Sequence, residues 1–386
     1  MTALYIHIPF CKKKCNYCDF VSYAGKEGLI DAYIEALCKE ITTSPLSSDF
    51  VGIHSPLHKV ERGGTNEVSD GVRTIYFGGG TPTLLEPKHF EKILSSIPYP
   101  LPPEISLESN PGTANKEKLK AFHDLGINRL SIGVQSFNDQ HLKTLGRIHD
   151  SKIALQFYHD ARKAGFTNIN LDLMFALPDQ TLEEWQADLQ TAIDLKPEHL
   201  STYNLQIEEG TPLFLHPTVY GLPPTQETEL AMYQHTIETL TSAGYHHYEI
   251  SNFAKPGFEC QHNINYWKNG NYIGIGAGAH SHVNGRRWAN TNSIEEYIRS
   301  ASGDMGNEMR NALRLTPNDS HLSTAQRETL FLGLRLLDGL SIEHFKGFEK
   351  EVAELIKDGL LEKHNNDYRL TKQGLYLGNL VFEKFI

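Results

Sequence analysis

Alternation constrains this chain more than any other feature. Short runs rich in β-branched and aromatic residues recur from residue 4 to about residue 206: LYIHIP from Leu4, TIYFGG from Thr74, EISLES from Glu104, RLSIGV from Arg129, NINLDLMF from Asn168 and HLSTYNLQ from His199. Between them lie longer segments with helical spacing. In residues 29–41, Ile30, Tyr33, Ile34, Leu37, Cys38 and Ile41 fall on one face, the stripe a helix needs to cover a sheet. Strands alternating with helices predict βαβ units and a parallel sheet. Six such units predict an α/β fold, a partial (β/α)6 barrel of the TIM type, whose chemistry sits on the loops leaving the C-terminal strand ends.

At 386 residues the chain is longer than one hydrophobic core usually serves. The expected division is a core barrel over residues 1–210, an extension over 211–310 and a small C-terminal domain over 311–386. Residues 45–72 are rich in Ser, Gly, His and Pro without a sustained period and predict an inserted surface loop. After Asn311 the pattern predicts helices over GLRLLDGLSIEHF and EKEVAELIKDGLLEK, a hairpin at NNDYRLT and a last helix, a mostly helical unit of winged-helix type.

With 39% hydrophobic and 22% charged residues, the composition is that of a globular protein. No apolar run is long enough to span a bilayer. MTALYIHIPF reads as a strand rather than a leader peptide, so a cytoplasmic protein is expected, with peripheral membrane contact left open. A net charge of -11 argues against general nucleic-acid affinity. The C-terminal unit offers no basic face either, with seven Lys or Arg against eight Asp or Glu from Ser341 to Ile386, so no nucleic-acid partner is expected.

Three of the five cysteines stand together in HIPFCKKKCNYCDF. Cys11, Cys15 and Cys18, spaced CxxxCxxC, follow the first strand directly. Thiolates are soft ligands suited to an iron–sulfur cluster or to zinc. A structural zinc site wants a fourth thiol or imidazole at matching spacing, and the next cysteine, Cys38, lies on the apolar face of the predicted helix. Three thiolates on a cubane leave one iron without a protein ligand, open to a substrate atom. The cluster is the favoured reading and a zinc-stabilised binding protein the alternative.

The motif after a strand resembles the signature of the radical S-adenosylmethionine (SAM) superfamily, with Tyr17 before the last cysteine matching too. The resemblance implies a [4Fe-4S] cluster whose open iron takes the amine and carboxylate of SAM. YFGGGTPT is similar to the superfamily's SAM-amine motif and so implies Gly79, Gly80 and Thr81, although three glycines alone also suit a tight turn. Glu108 in LESNPG, Gln135 in SIGVQSF, Arg147 in LGRIH and Asp172 in NLDLMF lie at or beyond strand ends. Singly they read as ordinary loop polar groups. Together, in this order, they resemble the coproporphyrinogen-dehydrogenase-like branch of the superfamily and imply contacts to SAM, as does Tyr5, which otherwise reads as a barrel-lining aromatic. This branch usually carries glycine where this chain has Ala176 and Asp179, so a differently shaped loop is expected there.

Within that branch, the dehydrogenases continue CxxxCxxCxC behind a long N-terminal extension. Phe20 stands at the fourth position here, and only ten residues precede Cys11. Both features resemble the heme chaperone group, which implies heme as ligand, heme-accepting proteins as partners and an electron donor for the cluster. CQHNINYWKNGNYIGIGAGAHS, residues 260–281, fits that implication. Imidazole is a common axial ligand of heme iron, and Tyr266, Trp267 and Tyr272 suit the border of a macrocycle. His262 is the candidate ligand, with Cys260 and His280 behind it; a buried, hydrogen-bonded histidine is the plainer reading. Gly274, Gly276 and Gly278 do not form a dinucleotide fingerprint. The competing function is oxidative decarboxylation of coproporphyrinogen III propionates.

Overall fold

The computed structural model describes residues 2–44, 71–302 and 322–386. The expected loop over residues 45–72 and the division at 310/311 thus lie almost wholly outside the described residues. All six expected strands form: β1 Thr2–Ile8, β2 Val72–Gly79, β3 Glu104–Ser109, β4 Arg129–Gln135, β5 Asn168–Phe175 and β6 His199–Asn204. Each pairs in parallel with the next. The connecting helices are α1 Ile30–Thr43, α2 Pro87–Ser95, α3 Lys116–Asp124, α4 Ser151–Ala164 and α5 Leu182–Leu195.

Local chemistry sets these helix ends. The side chains of Asn115 and Asp150 accept the backbone N–H groups of Lys118 and Ile153, and Thr181 and Glu184 form a reciprocal capping box; each satisfies amides a helix start leaves unpaired. The strands are buried on both faces, as a helix-covered parallel sheet requires. Ile105, Leu107, Leu130, Ile132, Ile169, Leu171 and Leu200 belong to the main hydrophobic core. Alternate residues carry a polar lining. Asn170 Nδ2 donates to Ser131 Oγ at 2.7 Å and to Asp172 Oδ1 at 2.7 Å, Ser131 Oγ donates to Asp172 Oδ2 at 3.0 Å, and Ser201 Oγ donates to Asn170 Oδ1 at 3.2 Å.

The sheet continues past both ends of the six-strand unit. Downstream come α6 Gln226–Ser242, β7 His246–Glu249, β8 Asn252–Ala254, α7 Gln261–Trp267, β9 Tyr272–Ile275, β10 His280–Val283, β11 Arg286–Ala289 and α8 Ile294–Ser302. The eleven strands run in the order β11-β10-β9-β1-β2-β3-β4-β5-β6-β8-β7. The parallel run therefore has a seventh member: β9 pairs in parallel with β1, Tyr5 opposite Gly274. The glycines that fail as a dinucleotide fingerprint make this turn possible. A Cβ on Gly274 would lie 2.1 Å from the His280 carbonyl oxygen, and Gly276 and Gly278 have positive φ.

The C-terminal unit comprises α9 Leu322–Gly333, α10 Glu349–Lys357 and a small sheet of β12 Leu340–Ser341, β13 Leu361–His364 and β14 Asp367–Leu370. Its own core includes Leu334, Phe345, Val352, Leu355 and Phe385. The expected hairpin is β13–β14. The expected helix over GLRLLDGLSIEHF is corrected: α9 ends at Gly333 because the chain peels off to meet the large sheet. Leu336 bridges to Glu249 and the Leu337 amide donates to the Tyr248 carbonyl at 3.1 Å. A second tie holds α9 to the sheet extension. Arg287 Nη2 donates to Glu328 Oε2 at 3.0 Å, and Asn269 Nδ2 donates to Thr329 Oγ1 at 3.2 Å.

Candidate iron–sulfur and SAM site

Past β1 the chain turns through Pro9, and Phe10–Cys11 pairs with Tyr23–Ala24, which closes the cysteine-bearing segment into a loop. Phe10 is fully buried and anchors it. His7 Nε2 lies 2.8 Å from the Val21 carbonyl oxygen and fastens its far side. Cys11 is buried, whereas Cys15 and Cys18 are half-buried on the loop, and none is in a disulfide. A cavity of about 390 Å3 is lined by all three thiols and by Tyr17, Gly79, Gly80, Glu108, Gln135, Arg147 and Asp172. Among the described residues no three His, Cys, Asp or Glu side chains converge as ligands of a single ion.

Each second-row residue holds a thiol or another wall in place. Thr81 Oγ1 donates to Cys11 Sγ at 3.6 Å, and Cys18 Sγ lies 3.7 Å from Ser22 Oγ. Arg147 Nη1 donates to Cys15 Sγ at 3.4 Å and to the Tyr17 hydroxyl at 3.5 Å, and its Nη2 donates to the Gly133 carbonyl at 2.6 Å and to Asn110 Oδ1. Burial opposes the Arg147 charge, but Tyr17 and Cys15 beside it prevail, and the guanidinium is held above its ordinary value. Glu108 accepts from the Tyr76 hydroxyl at 2.9 Å and from the Gly79 amide at 3.0 Å. Burial, reinforced by the charge of Asp172, still pushes its carboxyl up to about 7. Burial also raises Asp172, against hydrogen bonds from Ser131, Asn170 and Ser201.

The walls leave room and unused polar capacity for a small polar molecule. Gln135 takes a positive φ of 70°, and its buried Oε1 has no hydrogen-bond partner among the described residues, a cost a bound donor would remove. A Cβ on Gly80 would lie 2.7 Å from the Phe10 carbonyl oxygen and 3.0 Å from Cys11 Sγ, so only glycine lets this strand end approach the cysteine loop. The residues present thus fit a cluster with SAM beside it. Asn110, not singled out in the sequence, donates to Thr81 Oγ1 at 2.8 Å and accepts from Arg147. Its position two residues after Glu108 was the available signal. Ala176 and Asp179 both take φ of 57°, the left-handed conformation that glycine adopts most easily. The loop therefore keeps glycine-like backbone at these positions.

A second cavity of about 760 Å3 adjoins the first. Asp19, Phe20, Gly79 and Glu108 line both, and Tyr5, Tyr266, Trp267, Tyr272, His280, Phe331 and Leu332 line the second. Residues 260–281 are thus brought beside the thiol site, but His262 reaches neither cavity. It is 1% exposed, with Nδ1 2.8 Å from Thr74 Oγ1 and Nε2 3.0 Å from the Tyr266 hydroxyl. Its ring packs at 5.0 Å on Tyr76. Burial and the Arg129 charge press its pKa down to about 3, so the ring is neutral with both nitrogens engaged. The cause lies in the start of α7, where Glu104 accepts the His262 and Gln261 amides at 3.0 and 2.9 Å and seats the helix against the first residues of β2 and β3. Cys260 is likewise fully buried, its Sγ 3.8 Å from Glu104 Oε1.

The model of the radical SAM superfamily matches residues 5–192, and that of the HemN C-terminal domain matches residues 322–377. Two proteins named heme chaperone HemW are similar along nearly their whole length. The Lactococcus lactis protein is 36% identical over 100% of this chain and 97% of its own, and the Bacillus subtilis protein 36% identical over 100% and 99%. The chain belongs to the HemW family of radical SAM proteins. The Escherichia coli HemW, 41% identical, aligns with 73% of this chain and 70% of its own. The coproporphyrinogen III oxidase HemN of E. coli superposes with a TM-score of 0.79 at 24% identity, over 100% of this chain and 89% of that one, which shows that the two share a fold. As a radical SAM protein of the HemW family, the chain takes a [4Fe-4S] cluster and SAM.

Proposed function

We propose that this chain is a heme chaperone, holding a [4Fe-4S] cluster on Cys11, Cys15 and Cys18, SAM beside it, and heme against residues 260–281 for transfer to acceptor proteins. One observation carries the reading: an aromatic-walled cavity large enough for a cofactor adjoins the thiol-lined one, with Gly79 and Glu108 lining both. Held by Cys11, Cys15 and Cys18, a [4Fe-4S] cluster would supply an iron open to SAM and an electron for cleaving it.

This chain's own residues do the positioning. Gly79 and Gly80 keep the β2 end free of Cβ atoms, Thr81 orients Cys11, and Arg147 sets a positive charge beside Cys15 where an anionic group is favoured. Gln135 offers an unsatisfied acceptor. Glu108 and Asp172 present carboxyl groups able to accept hydroxyl donors, and Tyr17 borders the thiol-lined space as an aromatic wall, whereas Tyr5 lines the adjoining cavity. An electron donor for the cluster and a cytoplasmic location belong to the same reading. Among the described residues no helix is long and apolar enough to cross a membrane.

The test is an oxygen-free titration of reconstituted full-length protein with ferric heme, followed by transfer to an apo heme protein. Saturable Soret changes and transfer are expected. Conversion of coproporphyrinogen III to protoporphyrinogen would favour the dehydrogenase reading instead.

A further inference from the structure

We infer that His280, rather than His262, supplies the axial imidazole to heme in the larger cavity. This rests on the heme-chaperone reading and deepens it by naming the ligand.

Placement comes from the seventh parallel strand. Because β9 runs parallel to β1, the turn after Ile275 lies at the same end of the sheet as Cys11, and His280 is the first residue beyond that turn. The side chain is exposed, lines the cavity, and makes no ring hydrogen bond among the described residues. The other histidine on this cavity, His7, has both nitrogens engaged, Nδ1 2.9 Å from the Tyr5 hydroxyl and Nε2 2.8 Å from the Val21 carbonyl oxygen. His262 would have to give up two hydrogen bonds and leave a buried seat, stranding buried polar groups without partners.

The surroundings suit a flat apolar macrocycle. Phe20, 69% exposed, stands on the side shared with the thiol cavity, Trp267 and Tyr266 form another wall, and Phe331 and Leu332 of α9 close it from the C-terminal unit. Arg287, tied to Glu328, Tyr272 and Asn269, fixes that closing helix. Coordination is a ligand exchange: an imidazole nitrogen of His280 would donate its lone pair to ferric iron, water or hydroxide would leave, and no electron is transferred.

The experiment is a titration of oxygen-free, cluster-loaded full chain with ferric heme, read by the Soret band and the ferric-heme paramagnetic spectrum, for wild type, His280→Ala and His262→Ala. Wild type and His262→Ala should share an imidazole-ligated spectrum. His280→Ala should lose it, with affinity falling about tenfold or more, and added imidazole should restore it. A His280→Ala protein with the wild-type spectrum and affinity overturns the inference but leaves the chaperone reading standing. Loss in His280→Ala that imidazole does not restore also overturns it, because the role would then be structural. Failure of wild type to bind heme removes the chaperone reading itself.

Discussion

Single residues in this site are held by more than one neighbour, and their substitutions have separable consequences. Cys15 is half-buried on a loop and packs little, so Cys15→Ala is expected to lose the cluster with an unchanged far-ultraviolet dichroism spectrum; iron and labile sulfide at wild-type levels would contradict this. Glu108 allows a pH test whose sign follows from its position. Its carboxyl, ordinarily near 4.5, titrates near 7 in the folded chain, so between these values the native state binds more protons than the unfolded one. Stability therefore falls as pH rises through that window, by about 3 kcal/mol from this group at the upper end. In SAM-free protein Glu108→Gln should flatten that part of the curve relative to wild type, and parallel denaturation midpoints across pH 4.5 to 7 would contradict the assignment. The cysteines were legible in the sequence because ligand spacing is a local property. For His262 the residue type favoured the plainer reading, a buried, hydrogen-bonded ring, and that is its environment; the resemblance alone made it a ligand candidate, because the partners that bury it, Thr74 and Glu104, lie some 160 to 190 residues earlier.

At the scale of elements, hydrophobic periodicity read all six parallel strands, because each is a short run whose apolar residues recur at the positions that a helix-covered sheet buries. The same rule hid β9, whose YIGI is short and broken by Gly274, a residue required by the close pass of β10 rather than by strand propensity. The helix expected beyond Gly333 failed for a similar reason: pairing of Leu336 and Leu337 with the edge strand β7 overrides local preference. The Gly80 strand end gives the sharpest element-scale test. Gly80→Ala drives a methyl against the Phe10 carbonyl oxygen, which is backbone and cannot swing aside, so the cysteine loop must shift. SAM affinity should fall about tenfold or more, measured by equilibrium dialysis of the cluster-loaded protein; unchanged affinity would show that the strand end does not shape the site.

For the whole molecule, the C-terminal unit does more than append a second core, since its helix α9 walls the larger cavity and is pinned by Arg287 to Glu328. Both partners are partly shielded, with side chains 33% and 24% exposed, so Arg287→Ala is expected to destabilise by roughly 1–2 kcal/mol. It should also loosen heme binding without altering the cluster; calorimetry and heme titration together check this, and loss of the cluster would contradict the separation of the two cavities. The whole site turns on three thiolates each holding one iron of a four-iron cluster and leaving the fourth open to SAM. The most direct measurement is the paramagnetic spectrum of reduced, oxygen-free protein with and without SAM. A four-iron signal that changes on adding SAM is the expected result, whereas a protein containing zinc without labile sulfide, or a cluster indifferent to SAM, would contradict it.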